Sequence, residues 1–159
     1  MVLFADNSTI RILNSFCDVS MNEFDNRLKL QKIAFLAQKL GAVGGFTFSW
    51  YKRGPYSPSL TQALFQCEQV GQLGKKQQLK PHEEKIIEQI IKLTGENGVD
   101  DPKILELHAS VWYLIPDWQE PPNIEHVISV MSSEKPAYSQ AEVSQAISNV
   151  LKFRKTAAA

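Results

Sequence analysis

The run Phe46-Thr47-Phe48-Ser49-Trp50-Tyr51-Lys52, followed by Arg53-Gly54-Pro55-Tyr56-Ser57-Pro58, joins two incompatible periodicities and constrains the chain more than any other stretch. The first part alternates at period two. Phe46, Phe48 and Trp50 face one way and Thr47, Ser49 and Tyr51 the other, which specifies a short half-buried strand. The chain must then leave that strand sharply. Gly54 admits a positive φ, and Pro55 biases the residue before it away from the helical region. Ser57 suits a helix N-cap with Pro58 at the first helical position, where a missing N–H costs nothing. The helix it starts is expected to run to about residue 73, with Leu60, Leu64, Cys67 and Val70 or Gly71 on its inner face. The strand needs a partner, and residues 70–79 are one candidate.

Helices surround this unit. Residues 25–40 form the strongest, with Leu28, Ile33, Phe35, Leu36 and Leu40 as the buried stripe and Leu30 widening it. Asp25 or Asn26 can cap its start, and Gly41 fits a left-handed cap at its end. Residues 8–20 read as a first helix capped by Asn7 or Ser8. Residues 82–94 form another, ended by Gly95. Asp101-Pro102 starts the next by a cap-plus-proline device. That helix is apolar on nearly every side, through Leu105, Ala109, Val111 and Trp112, so it is expected at the centre. Pro116 stops it. A short helix over 122–132 follows, and Ser139 with Glu142 forms a capping box for a last helix ending near Arg154. The expected fold is mainly α: one domain over residues 1–156, a bundle of about seven helices with a small two-stranded β element after the second. Ala157-Ala158-Ala159 reads as an expression scar.

Composition removes several function classes. The chain has 159 residues, 43% apolar and 21% charged, with zero formal net charge. That is enough chain for a core without staples, and global disorder is not expected. A neutral chain gives no argument for nucleic acid from charge alone. No run approaches the ~20 apolar residues of a membrane span. The opening MVLFADN is short and lacks the basic lead of a signal peptide, so a cytoplasmic location is expected. Cys17 and Cys67 both sit in apolar helical patterns and read as buried thiols rather than a disulfide framework or metal site.

The set Leu28-x-Leu30-Gln31-Lys32-Ile33-x-Phe35-Leu36, Gly41, Phe48-x-Trp50-Tyr51, Gly54-Pro55-Tyr56-Ser57 and Leu60 resembles the YwgA-like bacterial and archaeal proteins. It is also similar to the broader Panacea, or SocA-type, antitoxin domain. A fainter echo lies at Ala109-Ser110-x-Trp112-Tyr113-Leu114. The resemblance covers residues 27–64 and 105–115. It implies an all-helical core with a small sheet. For Panacea-type members it implies neutralisation of a toxin by direct protein contact, and for SocA-like members a role as a proteolytic adaptor. The YwgA-like group brings no established activity.

Catalytic signals are sparse. His82, His108 and His126 stand at no metal-ligand spacing from one another or from cysteines or paired carboxylates. His82 fits a helix start, His108 a satisfied core histidine, and His126 the face of a short helix. There is no nucleophile elbow, phosphate loop or dinucleotide fingerprint. Glu83-Glu84 suits the first turn of a helix, and Asp101 suits a cap. No cofactor or metal is expected, and an enzyme remains only as a site assembled in three dimensions. Gln31 can reach the free backbone groups of the Gly-Pro turn and tie helix to loop.

The expected function is therefore non-enzymatic: a regulatory or interaction module for a partner protein, antitoxin-like or defence-associated, with a toxin or effector encoded nearby as the partner. Its candidate contact residues are Lys32, Tyr51, Lys52, Arg53, Tyr56 and Trp118. Trp118 lies in a Pro-bounded loop, where it either anchors a partner or folds back over the core. The alternative is a nucleic-acid-binding transcriptional regulator that uses Lys29, Lys32, Lys52, Arg53, Lys75 and Lys76. In that reading the lysines at 75 and 76 form a basic wing. An ordinary solvated helix face accounts for the same charges.

Overall fold

The computed structural model describes residues 7–16 and 19–154. Cys17, the end of the expected first helix at 17–18 and the terminal Ala157-Ala158-Ala159 lie outside them. Seven helices and one hairpin follow in the order α1 (Ser8–Asn14), α2 (Phe24–Lys39), β1 (Ser49–Tyr51), β2 (Gly54–Tyr56), α3 (Pro58–Gln69), α4 (Pro81–Thr94), α5 (Pro102–Tyr113), α6 (Ile124–Glu134) and α7 (Gln140–Phe153). The fold is mainly α with a small two-stranded antiparallel element. Among the described residues no helix is long and apolar enough to cross a membrane.

Helix α5 is the centre. It packs against α2 on one side and α7 on the other, and Leu105, Ala109, Val111 and Trp112 are buried. Helix α4 closes the bundle against α1, α2 and α7, and α6 packs on α7. The hairpin lies on α2 and α5.

The starts of the helices follow local rules. The side chains of Asn7, Ser57, Asp101 and Ser139 each accept a hydrogen bond from a first-turn N–H. Ser139 and Glu142 cap each other reciprocally. Pro58 and Pro102 occupy the first turns of their helices, where no intrahelical donor is lost.

Several boundaries differ from the sequence expectation. Helix α1 stops at Asn14 rather than running to residue 20. Ser15 Oγ donates to the Ile12 carbonyl, and Asn14 turns its side chain to the loop after α3, accepting from Gly74 N at 2.8 Å. Helix α2 begins at Phe24, with Glu23 as an extended N-cap lacking a side-chain bond, so Asp25 lies inside the first turn and neither it nor Asn26 caps. Helix α3 ends at Gln69, where Gln72 N folds back to the Cys67 carbonyl. Helix α6 starts after Asn123, which caps His126 N.

The partner of the strand is the largest correction. Residues 70–79 hold no strand, and Lys75 and Lys76 lie in a plain loop between α3 and α4. The partner is Gly54–Tyr56 itself, paired as Ser49↔Tyr56, Trp50↔Pro55 and Tyr51↔Gly54 around a Lys52-Arg53 turn. Gly54 has φ +90°, and a Cβ there would overlap Ser110 Oγ of α5. Only glycine supplies both the backbone angle and the close approach that seats the hairpin on the central helix.

Candidate functional site

The hairpin, the first half of α2 and the start of α3 enclose a pocket of about 380 Å³. Helix α2 supplies its floor through Phe24, Leu28, Gln31 and Lys32, spaced i, i+4, i+7 and i+8 on one face, with Arg27 beside them. The hairpin supplies Tyr51, Lys52, Arg53 and Tyr56. Helix α3 supplies Thr61 and Phe65, one turn apart.

A chain of hydrogen bonds fixes this geometry. The Gln31 amide donates to Ser57 O at 2.9 Å and to Thr61 Oγ1 at 2.8 Å, while its Oε1 accepts from Ser57 N at 2.9 Å. One side chain thus satisfies both backbone groups of the buried cap residue and ties α2 to the turn. Tyr56 OH and Thr61 Oγ1 share a bond of 2.8 Å, and the rings of Tyr51 and Tyr56 meet edge to face at 5.3 Å.

Lys32 is the unusual group. Its side chain is 0% exposed, and Nζ donates to the Pro55 carbonyl at 2.5 Å beneath the pocket floor. Burial pulls its pKa down to about 7. The nearby Glu106 carboxylate opposes that shift, while Lys135 and Arg53 add to it. Glu106 is already engaged: Lys135 Nζ, itself buried, donates to it at 2.8 Å and to Lys52 O at 3.2 Å, and lies over the Trp50 ring. One carboxylate therefore stands behind the hairpin among three cations.

The rim pairs cations with aromatic surface. Arg53 lies 5.6 Å over the Phe24 ring and Arg27 lies 6.0 Å from it. Phe24, Tyr51 and Phe65 are 51%, 48% and 41% exposed. No lining residue is acidic, and none is a histidine or cysteine. Two neighbouring cavities share Arg53 with the pocket but differ in charge. The larger, about 590 Å³, mixes Lys103 and Lys135 with Asp101, Glu106, Glu134 and Glu142. The smaller, about 270 Å³, has Asp25, Asp101 and Glu106 beside Arg53 and Lys103.

Five of the six residues expected to contact a partner line this pocket: Lys32, Tyr51, Lys52, Arg53 and Tyr56. Trp118 does not. It is 74% exposed in the loop after α5, near the far end of α2, where Lys39 bonds Asp117 at 3.2 Å. Arg154 braces that loop through the carbonyls of Pro116 and Gln119. The six residues expected to contact nucleic acid are divided. Lys32, Lys52 and Arg53 are at the pocket, Lys29 is on α2 but does not line it, and Lys75 and Lys76 lie in the loop beyond the other end of α3, whose 12 residues span roughly 18 Å.

The sequence reading missed Phe24, Arg27, Thr61 and Phe65, and took Leu28 only as part of the buried stripe. A signal existed for Phe65, which is apolar yet falls off the inner stripe of Leu60, Leu64 and Cys67. The buried pair behind the hairpin, Glu106 and Lys135, carries no local signal because its partners are 29 residues apart.

The histidines take no part. His108 is buried, with Nδ1 on the Ile104 carbonyl and Nε2 on the Asn149 amide, and burial lowers its pKa. His82 and His126 are exposed. Cys67 is a buried free thiol, its pKa pushed up to about 11 by burial. No group of three or more potential metal ligands occurs among the described residues. The chain matches no protein-family model, no curated protein and no solved structure.

Proposed function

We propose that the protein is a non-enzymatic regulatory module that grips a partner protein through the pocket between α2, the hairpin and α3. The observation that carries this reading is the pocket's composition: exposed aromatic rings and cations surround a concavity with no acidic wall residue. Aromatic and arginine side chains at a concave site are the residue types that dominate protein interfaces. The likeness of residues 27–64 to Panacea-type antitoxin domains points the same way and suggests an antitoxin-like or defence-associated role. The lining holds no histidine, cysteine or carboxylate, and Lys32, the one group there with a lowered pKa, is turned to the Pro55 carbonyl, which favours binding over catalysis. The nucleic-acid reading is weaker, because Lys75 and Lys76 stand apart from the other basic residues.

The test is affinity capture from the native host at endogenous levels, comparing wild type with Arg53→Glu and Tyr51→Ala. Both side chains are exposed, so both variants should fold. A protein retained in fixed ratio by wild type and lost from both variants is the expected result. The same proteins on all three baits, or none on any, would overturn the reading.

A further inference from the structure

We propose that the segment entering this pocket is acidic: an apolar or aromatic side chain flanked by carboxylates. The inference rests on the partner-binding reading above and names the chemistry of what binds.

Charge complementarity is the main argument. Arg27, Lys32, Lys52 and Arg53 line the pocket, and none of the four is in an ion pair among the described residues. Four other cations are in ion pairs: Arg11 with Glu83, Lys39 with Asp117, Lys135 with Glu106 and Arg154 with Glu120. The chain as a whole is neutral, so four basic residues around one concavity with no acidic lining residue are a local asymmetry. Lys32 sharpens it. Its ammonium can give three hydrogen bonds, and one acceptor, the Pro55 carbonyl, is present. Burial leaves Lys32 only partly charged near neutral pH, and an anion above the floor would favour its protonated form.

The remaining wall decides what carries the charge. Gln31 and Thr61 supply the lining amide and aliphatic hydroxyl, and both are engaged with each other and with Ser57 or Tyr56. Neither is free to read a nucleobase edge. The Leu60 N–H at the start of α3 is taken by Ser57 Oγ and the Thr61 N–H by the Ser57 carbonyl, which leaves few backbone donors for a phosphate. What the pocket offers is apolar surface from Phe24, Leu28, Tyr51 and Phe65, and separated positive charges. A volume near 380 Å³ is at the lower end of the ~300–1,000 Å³ typical of ligand pockets. It accommodates one large side chain with its flanks rather than a whole element.

Isothermal titration with short synthetic peptides tests this. The first carries a central tryptophan flanked by aspartate and glutamate. The second replaces the acids by asparagine and glutamine, and the third by phosphoserine. A single-stranded oligonucleotide is the fourth probe. The acidic peptide should bind, and the neutral one at least about 10-fold more weakly, as expected for losing a charge-assisted contact. Arg53→Glu should weaken the acidic peptide by a similar factor, and Tyr51→Ala should weaken it too. Equal binding of the neutral peptide, preference for phosphoserine or the oligonucleotide, or no binding of the acidic peptide would each overturn the inference. If any of these occurs while host capture still depends on Arg53 and Tyr51, the inference fails and the partner-binding reading stands. If capture is independent of them, that reading itself fails.

Discussion

Replacing Glu83 with alanine is expected to cost about 3–5 kcal/mol of folding stability, the range for removing one partner of a buried ion pair. Glu83 is 0% exposed in the first turn of α4. Its carboxylate accepts from Ser8 Oγ at 2.6 Å, from Arg11 Nη2 at 2.7 Å and from Arg11 Nε at 3.1 Å, and its Oε1 accepts from Lys80 N at 2.9 Å. One side chain therefore caps α4 and holds α1 against it. Helix α1 has seven residues, too few to persist without such contacts. Alanine would leave the Arg11 guanidinium without its carboxylate in a largely buried site. Urea denaturation followed by circular dichroism measures the loss. A change below about 1 kcal/mol, the range of exposed pairs, would show that the pair is not buried as described.

The same group sets a pH dependence. Burial alone would raise its pKa, but the bonds from Arg11, Lys80 and Ser8 outweigh burial and hold it down to about 2. A depressed folded-state value means that the stabilisation is complete above the ordinary value of 4.5. It is lost as pH falls from there toward 2, because the unfolded chain binds the proton first. Glu83→Gln should flatten that acid limb.

Lys32→Met is expected to act in the opposite sense: a protein at least as stable as wild type at neutral pH, but one that binds its partner poorly. Lys32 titrates near 7 in the fold against an ordinary 10.5. Between those values the unfolded chain holds a proton that the folded chain has released. Wild-type stability should therefore rise with pH across 7 to 10.5, and below 7 the full cost of burying the ammonium is carried. The groups facing it are Glu106, Lys135 and Arg53. Glu106 favours the charged form while Lys135 and Arg53 disfavour it, and burial remains the largest effect. Methionine removes the charge and fills a similar volume, a change that is often neutral or stabilising by about 1–4 kcal/mol for buried ionic groups. Against this stands about 1–3 kcal/mol for leaving the buried Pro55 carbonyl without this donor. Thermal melts of both proteins from pH 6 to pH 10, on the order of one unit apart, read the slope. A wild-type slope that persists in Lys32→Met, or a large destabilisation of the variant at pH 7, would mean that Lys32 serves the fold rather than binding.

How much of this was legible in the sequence follows from the range of each interaction. Caps at Asn7, Ser57, Asp101 and Ser139 are local and were readable, as was the buried character of α5. The tie from Gln31 to the turn was readable as a need, since free backbone groups there had to be satisfied. The hairpin was not. Gly54 and Pro55 look like strand breakers, yet an antiparallel pair alternates bonded and unbonded positions, so a proline at an unbonded one costs the ladder nothing. The Arg11–Glu83 pair was invisible because 72 residues separate its members, and Glu83 read as an ordinary first-turn acid. In the pocket, the hairpin residues stood together in sequence. Their partners Phe24, Arg27 and Phe65 reached them only through packing.

The most direct test of the central claim places a photo-crosslinking amino acid at Phe65, on the pocket rim, in cells of the native host. One discrete protein adduct is expected, and it should disappear when Arg53→Glu is added to the same chain. An adduct that persists with Arg53→Glu, or no protein adduct from that position, would contradict the assignment of this pocket as the partner-binding site.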